Sequence, residues 1–134
     1  MLEKLIYNFN IEKHLKNIKE PLIKECLNQR VNLNEKNSYN FELHSRYTNY
    51  LYNIFYCLSK INLNIFSLKD VNFKTWAYIT DKEYNKSKCH NHKLTASINC
   101  VLYLKTQKKG ITFYYENEQK YLMPKNNDML IFPS

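Results

Sequence analysis

Apolar residues fall near helical spacing through the first 70 positions and alternate with polar ones through the last 60. That change of period predicts a helical half followed by a β half, and so the α+β class. After a short apolar stretch around Leu5 to Phe9, the residues Ile11, Leu15, Ile18, Leu22, Ile23, Cys26 and Leu27 recur as one helix face would. Pro21 cannot donate the amide proton that a helix interior requires, so the run reads as two helices. Asn32 to Asn40 is a polar linker. From Phe41 to about Lys60, Tyr47, Tyr50, Leu51, Ile54, Phe55 and Leu58 follow the spacing of a single buried helix face. The aromatic members of that stripe share a face with aliphatic residues, which makes them core packing rather than a platform for bases.

From Phe73 onward the chain favours extended backbone. Lys74 to Thr80 reads as a strand, with Trp76 assigned to the core. Ser97 to Lys105 sets Ile98, Cys100, Leu102 and Leu104 against Ser97, Asn99, Val101 and Tyr103, so one face belongs to the core and the other is mixed or lines a cavity. Gly110 opens a strand through Tyr115, and a charged turn, Glu116 to Lys120, leads into Tyr121-Leu122-Met123. Pro124 to Asp128 is a turn by composition, with Asn127 suited to the left-handed conformation. Met129 to Phe132 forms the last strand.

Composition changes this picture little. A chain of 134 residues with 44% hydrophobic content suits one domain, 1–72 forming a helical support and 73–134 the β part. The formal charge of +8 raises nucleic acid as a partner. The positive residues are mostly Lys, scattered from Lys4 to Lys125 among many Asn, which describes a solvated surface better than a nucleic-acid face. Cys26, Cys57, Cys89 and Cys100 form no paired motif, so neither a zinc ribbon nor a disulfide framework is indicated and a reducing compartment is expected. No stretch approaches the roughly 18 apolar residues that span a bilayer, and the chain reads as cytoplasmic.

The candidate chemistry sits in Cys89-His90-Asn91-His92. On extended backbone, residues two apart project to one side, so His90 and His92 can aim both imidazoles at one metal ion. Imidazole suits Fe(II), Zn, Cu and Ni alike, and the pair alone does not choose among them. His14 and His44 fall in the helical half and read as surface residues.

Around this pair, six landmarks occur in order: Trp76-Ala77-Tyr78, Glu83-Tyr84-Asn85, His90-Asn91-His92, Asn99 to Leu104, Gly110-Ile111-Thr112-Phe113, and Pro124 through Asp128-Met129-Leu130-Ile131-Phe132-Pro133-Ser134. Residues 73–134 thereby resemble the 2-oxoglutarate-Fe(II) oxygenases of phages and marine bacteria. The closing P-x-x-x-D-M-L-I-F-P-S run is the most specific of these pieces. The resemblance implies a double-stranded β-helix, Fe(II) and 2-oxoglutarate as cofactors, His90 and His92 as metal ligands, and hydroxylation of a substrate it does not name. Tyr78, Asn99 and Tyr103, on mixed faces of the flanking strands, are the candidate residues lining the cofactor pocket. Lys93 replaces the family's proline after the second histidine, and His92 occupies the position that carries a carboxylate in the wider superfamily. The sequence ends just before the place where a distal histidine and a basic 2-oxoglutarate clamp are expected, which implies an incomplete, inactive site in this chain. A cupin-like metal module is the alternative, although the acidic residue it needs after the pair is missing. A zinc site built from Cys89, His90, His92 and Cys100 is chemically sensible but matches no common spacing.

Overall fold

The computed structural model describes residues 2–32, 40–63, 73–79, 98–106 and 110–133. It is mixed α+β with antiparallel sheets, and its contacts divide the chain into two compact units, Met1–Asn17 with Cys89–Ser134, and Ile18–Lys88. Among the described residues, no helix is long and apolar enough to cross a membrane.

The first unit joins the two ends of the chain. A short 3-10 turn at Leu2–Lys4 precedes β1 (Tyr7–Asn10), which is followed by the one-turn helix α1 (Glu12–Leu15). The remaining strands are β4 (Ile98–Tyr103), β5 (Ile111–Tyr115), β6 (Glu118–Leu122) and β7 (Asp128–Pro133). The apolar stretch near the N-terminus is thus a strand whose Tyr7 to Asn10 pair with Ile131 to Asp128, so the unit does not follow the change of period near residue 73. β7 is central in the order β1-β7-β4, and Met129, Leu130 and Ile131 are its fully buried residues. A strand covered on both faces reads as a continuous apolar run rather than an alternating one, as 129–132 does.

The registers of the two antiparallel pairs are nested. Ile98 faces Pro133 and Tyr103 faces Asp128; further in, Ile111 faces Leu122 and Tyr115 faces Glu118. The chain from 98 to 133 is therefore one long hairpin whose legs pair first in one sheet and then in a second, two-stranded one. Between the two pairings one leg has seven residues, 104–110, and the other five, 123–127, so the register resumes displaced by two. The tip is the two-residue turn Glu116-Asn117, with Glu116 at φ 53. Gly110 opens β5 because a Cβ there would run into the ring of Tyr121 and the carbonyl oxygen of Leu122.

The second unit holds α2 (Lys19–Asn32), β2 (Asn40–Glu42), α3 (Thr48–Leu63) and β3 (Trp76–Tyr78). The expected pair of helices is present, but the break falls at Lys16–Ile18 rather than at Pro21. Pro21 sits in the first turn of α2, where a missing amide proton costs no intrahelical bond. The helix expected from Phe41 starts at Thr48, and the residues before it form β2 and a turn. Their period is two, with Phe41 and Leu43 buried and Glu42 and His44 exposed. Ser45 stops that strand, since its hydroxyl accepts from the Tyr47 amide (3.0 Å) and its carbonyl from the Thr48 amide (3.3 Å). β2 pairs with β3, and Leu43 N–H extends the ladder to the Thr75 carbonyl (2.8 Å). α3 buries Ile54 and Ser59, and the Ser59 hydroxyl finds no hydrogen-bond partner.

Candidate functional site

Residues directly opposite one another in a ladder share a face of the sheet. One face of β1-β7-β4 carries Asn99, Val101 and Tyr103 from β4, Phe132, Leu130 and Asp128 from β7, and Asn8 and Asn10 from β1. The opposite face carries Ile98, Cys100 and Leu102 with Ile131, Met129, Tyr7 and Phe9. The Phe132 ring meets that of Phe113 on β5 edge-on at 4.8 Å, so the face with Asn99 and Tyr103 looks toward the β5–β6 sheet. Two of the pocket candidates therefore lie side by side on an inward-looking face, and both are half-buried. Burial pushes the Tyr103 phenol up to about 12, so at neutral pH it is a protonated donor. The clean separation into an apolar and a mixed face does not hold for β4, because Cys100, on the side with more aliphatic residues, is exposed.

At the Tyr103 end the face closes in a polar cluster. The buried Asp128 carboxylate accepts from the Lys125 amide (2.8 Å), Asn10 Nδ2 (3.1 Å) and Asn8 Nδ2 (3.3 Å). Asn127 takes φ 74, and its amide donates to the Tyr103 carbonyl while its carbonyl accepts from Ile11 N–H (2.9 Å). Asn126 Oδ1 accepts from the Thr106 amide (2.8 Å). The 125–128 turn thus ties β1, β4 and β7 together. The left-handed Asn127 expected from composition is observed; Asn8 and Asn10 were missed, although they alternate with Tyr7 and Phe9 and so mark a two-sided strand.

His90 and His92 lie outside the described residues, as does Cys89. Among the described residues no three His, Cys, Asp or Glu side chains are grouped to hold a metal ion. Asp128, the carboxylate on the inward face, is held by the three donors described above. Tyr78 belongs to the second unit, on β3, where it and Trp76 project to one exposed face around the buried Ala77. Trp76 is 56% exposed, against the expectation that it packs in the core. The three-residue strand buries only its Ala77 side, and the face carrying Trp76 is the outer one.

No family model matches the chain, and no curated protein or solved structure matches it.

Proposed function

We propose that the chain is an Fe(II)/2-oxoglutarate oxygenase-type domain in which His90 and His92 ligate the metal and Asn99 and Tyr103 line the cofactor pocket. The observation that carries this reading is the nested pairing of β4 with β7 and of β5 with β6. A double-stranded β-helix contains long antiparallel hairpins whose two legs pass together from one sheet into another, and the nested registers of 98–133 support that reading. In sequence the histidine pair precedes β4, with residues 93–97 between them. Bound Fe(II) supplies O₂ activation coupled to oxidative decarboxylation of 2-oxoglutarate. The chain's own part is to hold and orient. A protonated Tyr103 phenol can donate to a carboxylate, and the Asn99 amide can donate or accept beside it on the same face.

The test is an anaerobic Co(II) or Fe(II) titration followed by calorimetry and visible absorption, with and without 2-oxoglutarate. Binding that tightens with 2-oxoglutarate, disappears in His90→Ala and survives in His14→Ala is expected. Metal binding that depends on His90 but ignores 2-oxoglutarate replaces this reading with a cupin-like metal module, and metal binding indifferent to His90→Ala removes both.

A further inference from the structure

β5 is an edge strand without the features that keep such edges apart. A two-residue turn closes on a hydrogen-bonded pair, here Tyr115 with Glu118, so Tyr115, Phe113 and Ile111 direct their amides and carbonyls toward β6. Thr112 and Tyr114 direct theirs outward, and among the described residues no further strand or loop meets them. An open row of this kind templates another strand unless charge, proline, a bulge or a covering segment blunts it. Ile111 to Tyr115 contains no charged residue and no proline, and its register with β6 runs unbroken from Ile111–Leu122 to Tyr115–Glu118. β6, the other leg, is blunted. It carries Glu118 and Lys120, and the N-terminal turn lies against it, with the Leu2 amide donating to Glu118 Oε2 (2.6 Å).

The strand is its own complement. Set antiparallel to a second β5 about a two-fold axis at Phe113, it places Thr112 opposite Tyr114 of the second copy and Tyr114 opposite Thr112 of the second copy. These are the residues whose polar groups point outward, so each pair exchanges both of its bonds. Phe113 then faces Phe113 of the second copy at a non-hydrogen-bonded position, where side chains come closest, on the side where its ring already packs against Phe132. This register uses the whole strand from Ile111 to Tyr115.

The assembly also closes. Pairing consumes both β5 edges and leaves the blunted β6 edges outside, so growth stops at a dimer. No charge lies on the paired strands, and the repulsion that remains is that of two chains of formal charge +8, which salt screens.

We propose that the β5 edge is a self-association surface at which a second copy of this chain adds its own β5, joining two hairpins into one continuous sheet. An edge contact of this length buries less than the roughly 1,200 Å² of a stable complex, so the dissociation constant should be on the order of 100 µM. Sedimentation velocity of the reduced full chain between about 5 and 1000 µM should show a monomer that converts to a dimer and no further, with tighter association at higher salt. Tyr114→Lys, which puts a charge on the edge, and Thr112→Pro, which removes an outward amide that β6 does not use, should each weaken the dimer at least about tenfold. Gln119→Lys adds the same charge to the β6 leg and should leave the dimer intact. Amide exchange gives a second readout that needs no variant: protection of Thr112 and Tyr114 should rise with protein concentration. A chain that stays monomeric over the whole range overturns the proposal, as does a dimer indifferent to both β5 substitutions. Open-ended polymers, or a dimer that salt dissolves, overturn it equally, because the first contradicts closure at β6 and the second assigns association to ion pairs elsewhere.

Discussion

Removing the Asp128 carboxylate should destabilise the first unit more than any other single change of a polar side chain in it. In Asp128→Ala the Lys125 amide and the Asn10 side chain lose a charged acceptor at 2.8 and 3.1 Å, and Asn8 loses a longer one at 3.3 Å. A hydrogen bond to a charged group contributes about 1.5–3 kcal/mol. Lys125 is exposed and Asn10 keeps a contact to the Asn126 carbonyl at 3.4 Å, so water and that carbonyl recover part of the loss and the low end applies. Two such bonds give about 3 kcal/mol, and the weak third adds little. For a chain of this size that lowers Tm by about 10–15 °C. Asp128→Asn keeps one carbonyl acceptor without the charge and should lose about half as much. Thermal and urea unfolding followed by far-ultraviolet circular dichroism measures both. The decisive arm is a double-mutant cycle with Asn10→Ala, where shared partners require a coupling of about 1 kcal/mol. An Asp128→Ala protein within about 0.5 kcal/mol of the parent, or strict additivity with Asn10→Ala, would refute the view that this carboxylate clamps β1 to the 125–128 turn.

Other expectations can be checked with the same unfolding measurements. Gly110→Ala should cost about 1–3 kcal/mol, because the added methyl meets both the Tyr121 ring and the Leu122 backbone oxygen, and Tyr121→Ala should relieve only the first of these. Glu116→Gly should stabilise the hairpin by about 0.5–1 kcal/mol, since residue 116 sits at φ 53 and glycine reaches that conformation without a Cβ clash; a loss of stability would show that the Glu116 side chain contributes more than its strain costs. Ser59→Ala should raise stability by about 1 kcal/mol by removing a buried hydroxyl that has no partner and adding helix propensity. The folded-state pKa of Tyr103 lies above that of an unfolded tyrosine, so the folded state binds the extra proton and stability should fall as pH rises from about 10 to about 12. Tyr103→Phe should flatten that fall; an unchanged alkaline profile in the variant would remove Tyr103 from its cause.

What the sequence disclosed depends on how far apart in the chain the cooperating residues lie. β7 was readable because burial on both faces leaves a bare apolar run, and the Asn127 turn because few residues other than glycine reach positive φ. Gly110 was readable as a strand opening, but its partner, the Tyr121 ring across the hairpin, was not. β2 was hidden for a different reason: Phe41 and Leu43 also satisfy the start of a helical repeat, and only pairing with β3, more than 30 residues later, decides for the strand. β1 hid for the same reason at longer range, because its partner β7 is near the opposite end of the chain. The site divides along the same line. Asn99 and Tyr103 could be placed on one face from their spacing of four in a strand, whereas Asp128 gained its role from Asn8 and Asn10, which local pattern alone does not connect to it. Within the motif that looked most specific, Pro124 through Ser134, the part from Asp128 to Pro133 therefore has a structural reason to take its form whatever the chemistry beside it. Its carboxylate and the buried Met129, Leu130 and Ile131 fix the returning leg of the hairpin, and a chain that kept this fold without any metal would need them just as much. The burden of showing catalysis thus falls on His90 and His92, whose substitution should alter ligand binding while leaving the Asp128 clamp, and hence the unfolding transition of the metal-free protein, unchanged.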